Sequence, residues 1–363
     1  MSELAQRDGD TGTAPGRPGP PAPPAPRPRR VQRRWLVALG TVLVLAGLAV
    51  GGSWYAVQDG VTNFDQRVER FPSPFRALPQ AERPPVETSA RGALNILLLG
   101  SDSRVSAGDP TQWNAGAQRT DSIMVVHLPA DRKATYVVSI PRDSWVPIPG
   151  RGMHKINAAF SFGGPALMIR TVEQLTKLRI DHMALVDFEG FKAITDAVGG
   201  VTITVQEDTK DKRAEFSAGT HRMDGETALN YVRQRYNLPG GDFDRVKRQQ
   251  NWLRALLREL RSAGTLTNPL EMRRMLEALS TSLATDEGFT LDRMQELASS
   301  AAETGNVVFF TAPLRGTGRS ADGQSIVLLH AKRSPSLWTA VRRDRVRDWV
   351  VANRPELLGS SVR

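Results

Sequence analysis

Leu94-Asn-Ile-Leu-Leu-Leu-Gly100 holds one polar side chain, Asn95, in an otherwise apolar run. So short and uniform a run leaves no solvated face, and it reads as a strand buried on both sides of a sheet. Ser122–Leu128 and Thr135–Ile140 have the same character, with Asp102, Asp121 and Arg142 in the loops beside them. Further along, Pro165–Leu178 has helical spacing and Met183–Val186 reads as a strand. Asp187 caps a helix that ends at Gly199-Gly200, before a strand at Val201–Val205. Phe243, Val246, Leu253, Leu256, Leu257 and Leu260 mark one face of a long helix, and Pro269–Leu283 and Leu291–Ala302 read as two more. Strands at Asn306–Thr311 and Ser325–Leu329 follow, then a last helix with Ser334 as cap and Pro335 at its first position. This alternation predicts an α/β fold.

The chain has 363 residues, 40% of them hydrophobic, enough for a substantial core. Its 48 Lys+Arg against 38 Asp+Glu leave a net charge of +10. Part of that surplus lies in residues 1–34, which hold seven arginines against Glu3, Asp8 and Asp10. The rest suits an acidic ligand or an anionic surface without singling out nucleic acid. There is no cysteine, which excludes thiol catalysis, disulfides and thiolate metal sites.

Residues 1–34 carry eight prolines between Pro15 and Pro28, a composition that cannot bury enough surface to order itself, and are expected to be a disordered cytoplasmic tail. Residues 35–57 run from Trp35 to Val57 without a charge. As a helix they span about 34 Å, enough for a hydrocarbon core of about 30 Å. The run is too long and starts too late for an ordinary cleaved signal peptide, so an uncleaved anchor is expected. Arg27, Arg29, Arg30, Arg33 and Arg34 crowd its amino side while Asp59 and Asp65 follow it, a bias that keeps the tail inside and puts the remainder outside the cell. Residues 58–91, with Pro72, Pro74, Pro79, Pro84 and Pro85, read as a linker to a domain over 92–355, with a tail at 356–363.

The chemistry concentrates in Gly225-Glu-Thr-Ala-Leu-Asn-Tyr-Val-Arg-Gln-Arg-Tyr-Asn-Leu-Pro-Gly-Gly-Asp-Phe-Asp-Arg-Val-Lys-Arg-Gln-Gln250. Guanidinium forks hold phosphate oxygens two at a time. Arg233 and Arg235 share a face only in an extended chain, whereas Arg245, Arg248 and Gln249 share one if a helix has begun by Asp242. The reading is helix, extended break, glycine turn and second helix. The arginines and the amino end of that second helix then converge on one anion.

Asn95–Arg104, Arg119-Thr-Asp-Ser-Ile123, Ser139-Ile-Pro-Arg-Asp143, Lys155-Ile-Asn157, Asp196–Val201, Tyr231–Arg235, Asp242–Arg245 and Arg248–Gln250 together resemble the LytR-CpsA-Psr family. Phe160 departs from it, standing where a tyrosine is common. The resemblance implies one extracytoplasmic domain with a central mixed sheet flanked by helices. It also implies a membrane-anchored phosphotransferase that moves a glycopolymer from a polyprenyl-pyrophosphate carrier to peptidoglycan. The acceptor would be the 6-hydroxyl of N-acetylmuramic acid, and polyprenyl phosphate the leaving group.

Within that reading Asp102 and Asp121 are candidates to share Mg2+ or Mn2+, although a carboxylate among arginines serves equally as their structural partner. Arg142, Arg233, Arg235 and Arg245 are expected to clamp the phosphates and stabilise charge in the transition state. Arg104, Arg119, Lys155, Arg248 and Gln249 are further pyrophosphate-binding candidates, and Asp143 an orienting partner. The lipid is expected against Ala158–Leu178 with Val186, Phe188, Phe191 and Ile194, residues that also read as core. A G-x-S-x-G elbow, a P-loop and helical zinc-ligand spacing are all missing. The alternatives are a hydrolase of lipid-linked glycans and a non-catalytic glycan binder or transcriptional attenuator. An anchor with a positive cytoplasmic flank puts the arginines on the far side of the membrane from DNA.

Overall fold

The computed structural model describes residues 69–71, 74–101, 120–235, 238–262, 283–290, 293–294 and 306–362. The expected tail, the apolar run at 35–57, the first part of the linker, most of the two helices expected between 269 and 302, and Asp102, Arg104 and Arg119 lie outside them. Among the described residues no helix is long and apolar enough to cross a membrane.

The strands are β1 (Glu69–Phe71), β2 (Leu94–Ser101), β3 (Thr120–Leu128), β4 (Thr135–Ser139), β5 (Trp145–Ile148), β6 (Gly152–Lys155), β7 (His182–Val186) and β8 (Val201–Val205). They continue with β9 (Thr209–Lys210), β10 (Glu215–Phe216), β11 (Gly219–Met223), β12 (Leu283–Asp286), β13 (Val307–Thr311), β14 (Leu314–Arg319) and β15 (Ser325–Leu329). The helices are α1 (Ala158–Thr176), α2 (Phe188–Ala197), α3 (Gly225–Arg233), α4 (Asp242–Ser262), α5 (Arg333–Arg342) and α6 (Val346–Asn353).

Seven strands form one mixed sheet in the order β1-β12-β7-β2-β3-β4-β13. The central strand β2 is parallel to β7 and antiparallel to β3, β3 is antiparallel to β4, and β4 is parallel to β13. The carboxyl ends of β2, β4, β7 and β13 therefore share one edge of the sheet, where open α/β sheets bind their ligands.

The opening run is buried on both faces, as its composition requires. Leu97 and Leu99 pack with Phe160, Met168 and Val172 of α1 and with Leu337 and Trp338 of α5. On the other face Ile96 meets Phe289, and Leu98 lies with Met124 beside Leu253 and Leu257 of α4. Each such leucine contributes about 1.5–3 kcal/mol by leaving water. A second core gathers α2, α3 and α4 over the β8–β11 hairpin.

Several elements differ from expectation. α1 begins at Ala158, ahead of Pro165, because the helix breaks at Gly163-Gly164 and Pro165 restarts it without needing an N–H. α5 begins at Arg333, one residue before the expected cap Ser334, since His330 Nδ1 accepts from the backbone N–H groups of Lys332 and Arg333 at 3.3 and 3.2 Å. α6 follows it as an additional helix. Leu283, expected to end a helix, begins β12, whose pairing with β7 is a tertiary contact that local spacing does not reveal.

The linker and tail are held against the domain. Arg83 forms a buried ion pair with Glu173 at 2.7 Å and lies over the Phe75 ring. Leu358 N–H donates to the Phe309 carbonyl at 3.0 Å, on the edge of β13. Arg254 Nη1 donates to the Gly359 carbonyl at 2.6 Å.

Candidate functional site

At that shared edge the ends of β2 and β7, the start of β3 and helices α2, α3 and α4 enclose a cavity of about 340 Å³. Its shape depends on how closely the helices approach. A Cβ on Gly225 would lie 2.5 Å from the Lys192 carbonyl oxygen, so only glycine lets α3 start against α2. Asp187 caps α2 by accepting from Gly190 N–H at 2.7 Å, and Asp224 caps α3 by accepting from Thr227 N–H at 2.8 Å.

The segment after α3 folds as its sequence suggests. Helical geometry stops at Arg233, Gln234 turns extended (φ −64°, ψ 129°), and Gly241 closes the turn into α4 with φ +55°. Gln234 is fully buried, and its Oε1 accepts from Arg248 Nη1 at 2.5 Å and from Thr209 Oγ1 at 3.1 Å. That anchor leaves Arg233 and Arg235 to line the cavity on either side of it. The Arg233 guanidinium lies 4.2 Å from the centroid of the Phe188 ring.

The polar end of the cavity is a row of alternating charges. Asp121 pairs with Arg142, Arg142 Nε stands 3.7 Å from Asp242, and Asp242 pairs with Arg245. Gln249 Nε2 reaches the Asp121 carbonyl at 3.5 Å. Arg142 Nε, Arg245 Nε and Asp242 Oδ2 are buried without a hydrogen bond, while Arg245 Nη2 and Asp242 Oδ1 are held in their ion pair. Burial disfavours the Arg142 cation, yet Asp121, Asp242 and Asp143 together outweigh it and raise the pKa above the usual arginine value. At Arg245 burial wins: the pKa is lowered, Asp242 offsets only part of the cost, and Arg142 adds repulsion. Arg245 is thus a buried cation whose one carboxylate partner compensates only part of its desolvation.

The other end is apolar. Phe191 and Trp252 stack with centroids 4.0 Å apart, and Leu98, Met124, Val186 and Leu253 continue the wall. Hydrocarbon and anion surfaces thus meet within one cavity.

Asp121, Arg142, Arg233, Arg235, Arg245 and Gln249 are brought together here. Asp102, Arg104 and Arg119 lie outside the described residues. Arg248 is a correction to the pyrophosphate-binding set: it is fully buried, hydrogen-bonded to Gln234 Oε1, Thr209 Oγ1 and the Tyr231 carbonyl, and stacked 4.4 Å from the Tyr231 ring centroid. Lys155 is also off the cavity wall, 3.1 Å from Asp143, which in turn stands 3.9 Å from Arg142. The amino end of α4 contributes less than expected. The N–H groups of Phe243 and Arg245 are taken by the carbonyls of Gly240 and Gly241, and Asp242 and Asp244 fill the first turn.

The apolar wall was expected from α1, but that helix belongs to the main core and Ile194 to the second. Val186, Phe188 and Phe191 do line the cavity, joined by Trp252 and Leu253 of α4, Leu229 and Val232 of α3, and Leu98 and Met124 of the sheet. Leu253 could be found from the apolar face of α4. Arg213 and Asp187, which also line the cavity, carry no ligand-binding signal in the sequence. Among the described residues no three His, Asp or Glu side chains gather as a metal cage.

The LytR_cpsA_psr family model matches residues 66–343. The chain is 41% identical over 240 residues to the probable cell wall biosynthesis protein LcpB of Corynebacterium glutamicum, a match covering 64% of this chain and 57% of that protein. It spans a little over half the length of this relative and of LcpA from the same organism. It is 30% identical over 306 residues to the polyisoprenyl-teichoic acid–peptidoglycan teichoic acid transferase TagU of Oceanobacillus iheyensis, covering 82% of this chain and 90% of that one. Among solved structures, B. subtilis TagV superposes with a TM-score of 0.59 at 27% identity, over 70% of this chain and 97% of that one. With the family model covering the sheet and every described wall of the cavity, the chain belongs to the LytR-CpsA-Psr family.

Proposed function

We propose that this protein is a membrane-anchored transferase that moves a glycopolymer from a polyprenyl-pyrophosphate carrier to peptidoglycan outside the cell. One observation carries the reading: the cavity joins an arginine-lined end to an aromatic, apolar end. A polyprenyl-pyrophosphate glycan has that order of parts, hydrocarbon and then about two negative charges, with the sugar reaching solvent. The name of the TagU relative agrees with it. The apolar run at 35–57 and its arginine flank supply the anchor and the orientation.

In this mechanism Arg233, Arg235 and Arg245 hold the phosphate oxygens, and Arg142 orients Asp121. The acceptor hydroxyl, on this reading the 6-hydroxyl of N-acetylmuramic acid, attacks the phosphorus that bears the glycan. The new P–O bond forms as the bond to the polyprenyl phosphate breaks, and the hydroxyl proton passes to a carboxylate, Asp121 being the candidate at the polar end. The guanidiniums stabilise the charge that spreads over the oxygens. The products are a glycan joined to peptidoglycan by a phosphodiester and a free polyprenyl phosphate.

Asp102 and Asp121 are the residues we propose for Mg2+ or Mn2+. Hard carboxylate oxygens suit such ions, and Asp242 Oδ2, buried without a hydrogen bond, adds an oxygen of the same kind at that end. When bound, the ion supplies neutralisation of phosphate charge.

The test incubates the full chain in detergent with a polyprenyl-pyrophosphate disaccharide and peptidoglycan fragments, and weighs the products. A fragment heavier by one disaccharide phosphate, with polyprenyl phosphate released, is expected. Release of free disaccharide phosphate alone would mean water is the acceptor and would overturn the transferase reading. A carboxy-terminal reporter active only outside the cytoplasm is expected of the orientation, and activity of a cytoplasm-only reporter would refute it.

A further inference from the structure

Arg213 is not explained by the clamp. It stands in the turn between β9 and β10, apart from the β4 end and the α3–α4 stretch that supply the other cavity arginines, yet it lines the same cavity. Asp211 shapes that turn, its Oδ1 accepting from the N–H groups of Arg213 and Ala214 at 2.8 and 3.3 Å. The hairpin is fixed beside the clamp because Thr209 Oγ1 donates to Gln234, the residue between Arg233 and Arg235.

The Arg213 guanidinium itself is little used. Its one ion pair among the described residues is with Asp211 at 3.7 Å, beyond hydrogen-bond length, and its side chain is 39% exposed. Arg213 thus lines the cavity from a turn that Asp211 holds in shape through its backbone. Asp121 pairs with Arg142 and Asp242 with Arg245, and Arg213 stands apart from both pairs on the wall of the same cavity.

We propose that Arg213 is a specificity residue that recognises a further anionic group on the donor, a carboxylate or phosphate on the sugar nearest the pyrophosphate. The inference rests on the transferase reading of the cavity. Of the three parts of such a donor, the hydrocarbon is uncharged and the pyrophosphate is met by the clamp, so only the glycan can bring a third charge. Arg213 then contributes to selecting which glycopolymer is accepted, a difference between donors rather than a uniform gain in affinity.

The experiment compares full-length wild type, Arg213→Gln and Arg213→Lys on three polyprenyl-pyrophosphate disaccharides that differ only in the first sugar: neutral, uronate-bearing and phosphorylated. The wild type is expected to prefer both charged donors. Arg213→Gln should lose about 5- to 20-fold in kcat/KM on them and change less than twofold on the neutral one, with Arg213→Lys in between. An equal loss on all three donors would make Arg213 part of the pyrophosphate clamp or of the fold, and no loss on any would make it a surface residue. Either result overturns the proposal. Equilibrium binding of the same donors reads the preference without turnover. Selective binding with no transfer would sink the transferase reading and leave the anion subsite standing.

Discussion

Arg245 and Arg248 lie one turn apart on α4, and the same substitution should separate their roles. Arg248→Lys keeps the charge but cannot reproduce the fork that meets Gln234, Thr209 and the Tyr231 carbonyl at 2.5, 3.0 and 3.3 Å, or the stack on the Tyr231 ring. Losing two of those contacts in a fully buried site should cost about 2–4 kcal/mol, roughly 4–8 °C in Tm for a domain of this size. Arg245→Lys keeps a cation beside Asp242, and the Arg245 Nε has no hydrogen bond to lose, so the fold should lose less than about 1 kcal/mol. Transfer should fall roughly 30- to 1000-fold, the value of one charge-assisted fork used in the transition state. Thermal unfolding of the full chain in detergent and the disaccharide transfer assay give the two numbers. If Arg248→Lys keeps its Tm but loses transfer, or if Arg245→Lys unfolds early with normal turnover, the division into pin and clamp is wrong.

Arg233→Lys and Arg235→Lys should each lose roughly 30- to 1000-fold in transfer. Lys247→Ala, which breaks only a partly exposed pair with Glu356, should change rate and Tm little; comparable losses in all three would reduce the cluster to a general basic surface. Asp121→Asn should abolish stimulation by Mg2+ in a titration of rate against metal, and an unchanged response would remove Asp121 from the proposed metal site. At Asp344 burial favours the neutral acid, but hydrogen bonds from His127 and the Ala130 N–H prevail and hold its pKa below the ordinary range. Its contribution to stability is therefore complete above the unfolded value of about 3.9 and lost as pH falls through the lower folded value. Asp344→Asn should flatten that acid limb in unfolding curves taken from about pH 5 to pH 2, and an unchanged limb would place the acid sensitivity elsewhere.

What could be read from the chain alone was local. The run around Leu97 and Leu99 has one solution, burial on both faces, and the cap Asp187 and the turn at Gly241 act within a few residues of themselves. Spacing also placed a long helix from about Phe243, and α4 begins at Asp242, the condition for Arg245, Arg248 and Gln249 to share a face. It could not separate Arg245 from Arg248, because the side chains that claim Arg248 come from Thr209 and Gln234, on other elements. The same limit explains the apolar wall: the apolar residues of α1 and α4 look alike in sequence, and only sheet order decides which helix covers the cavity. β12 is defined by pairing with β7, and Arg213 by where a short hairpin comes to rest.

The central claim is that one cavity takes the anion and the hydrocarbon of the same molecule. The most direct measurement is a crystal structure of the protein with a short-chain polyprenyl pyrophosphate bound. The account predicts the pyrophosphate among Arg233, Arg235 and Arg245, with the first isoprene units against Phe191 and Trp252. A pyrophosphate bound elsewhere, or a hydrocarbon chain lying over α1 instead, would contradict it.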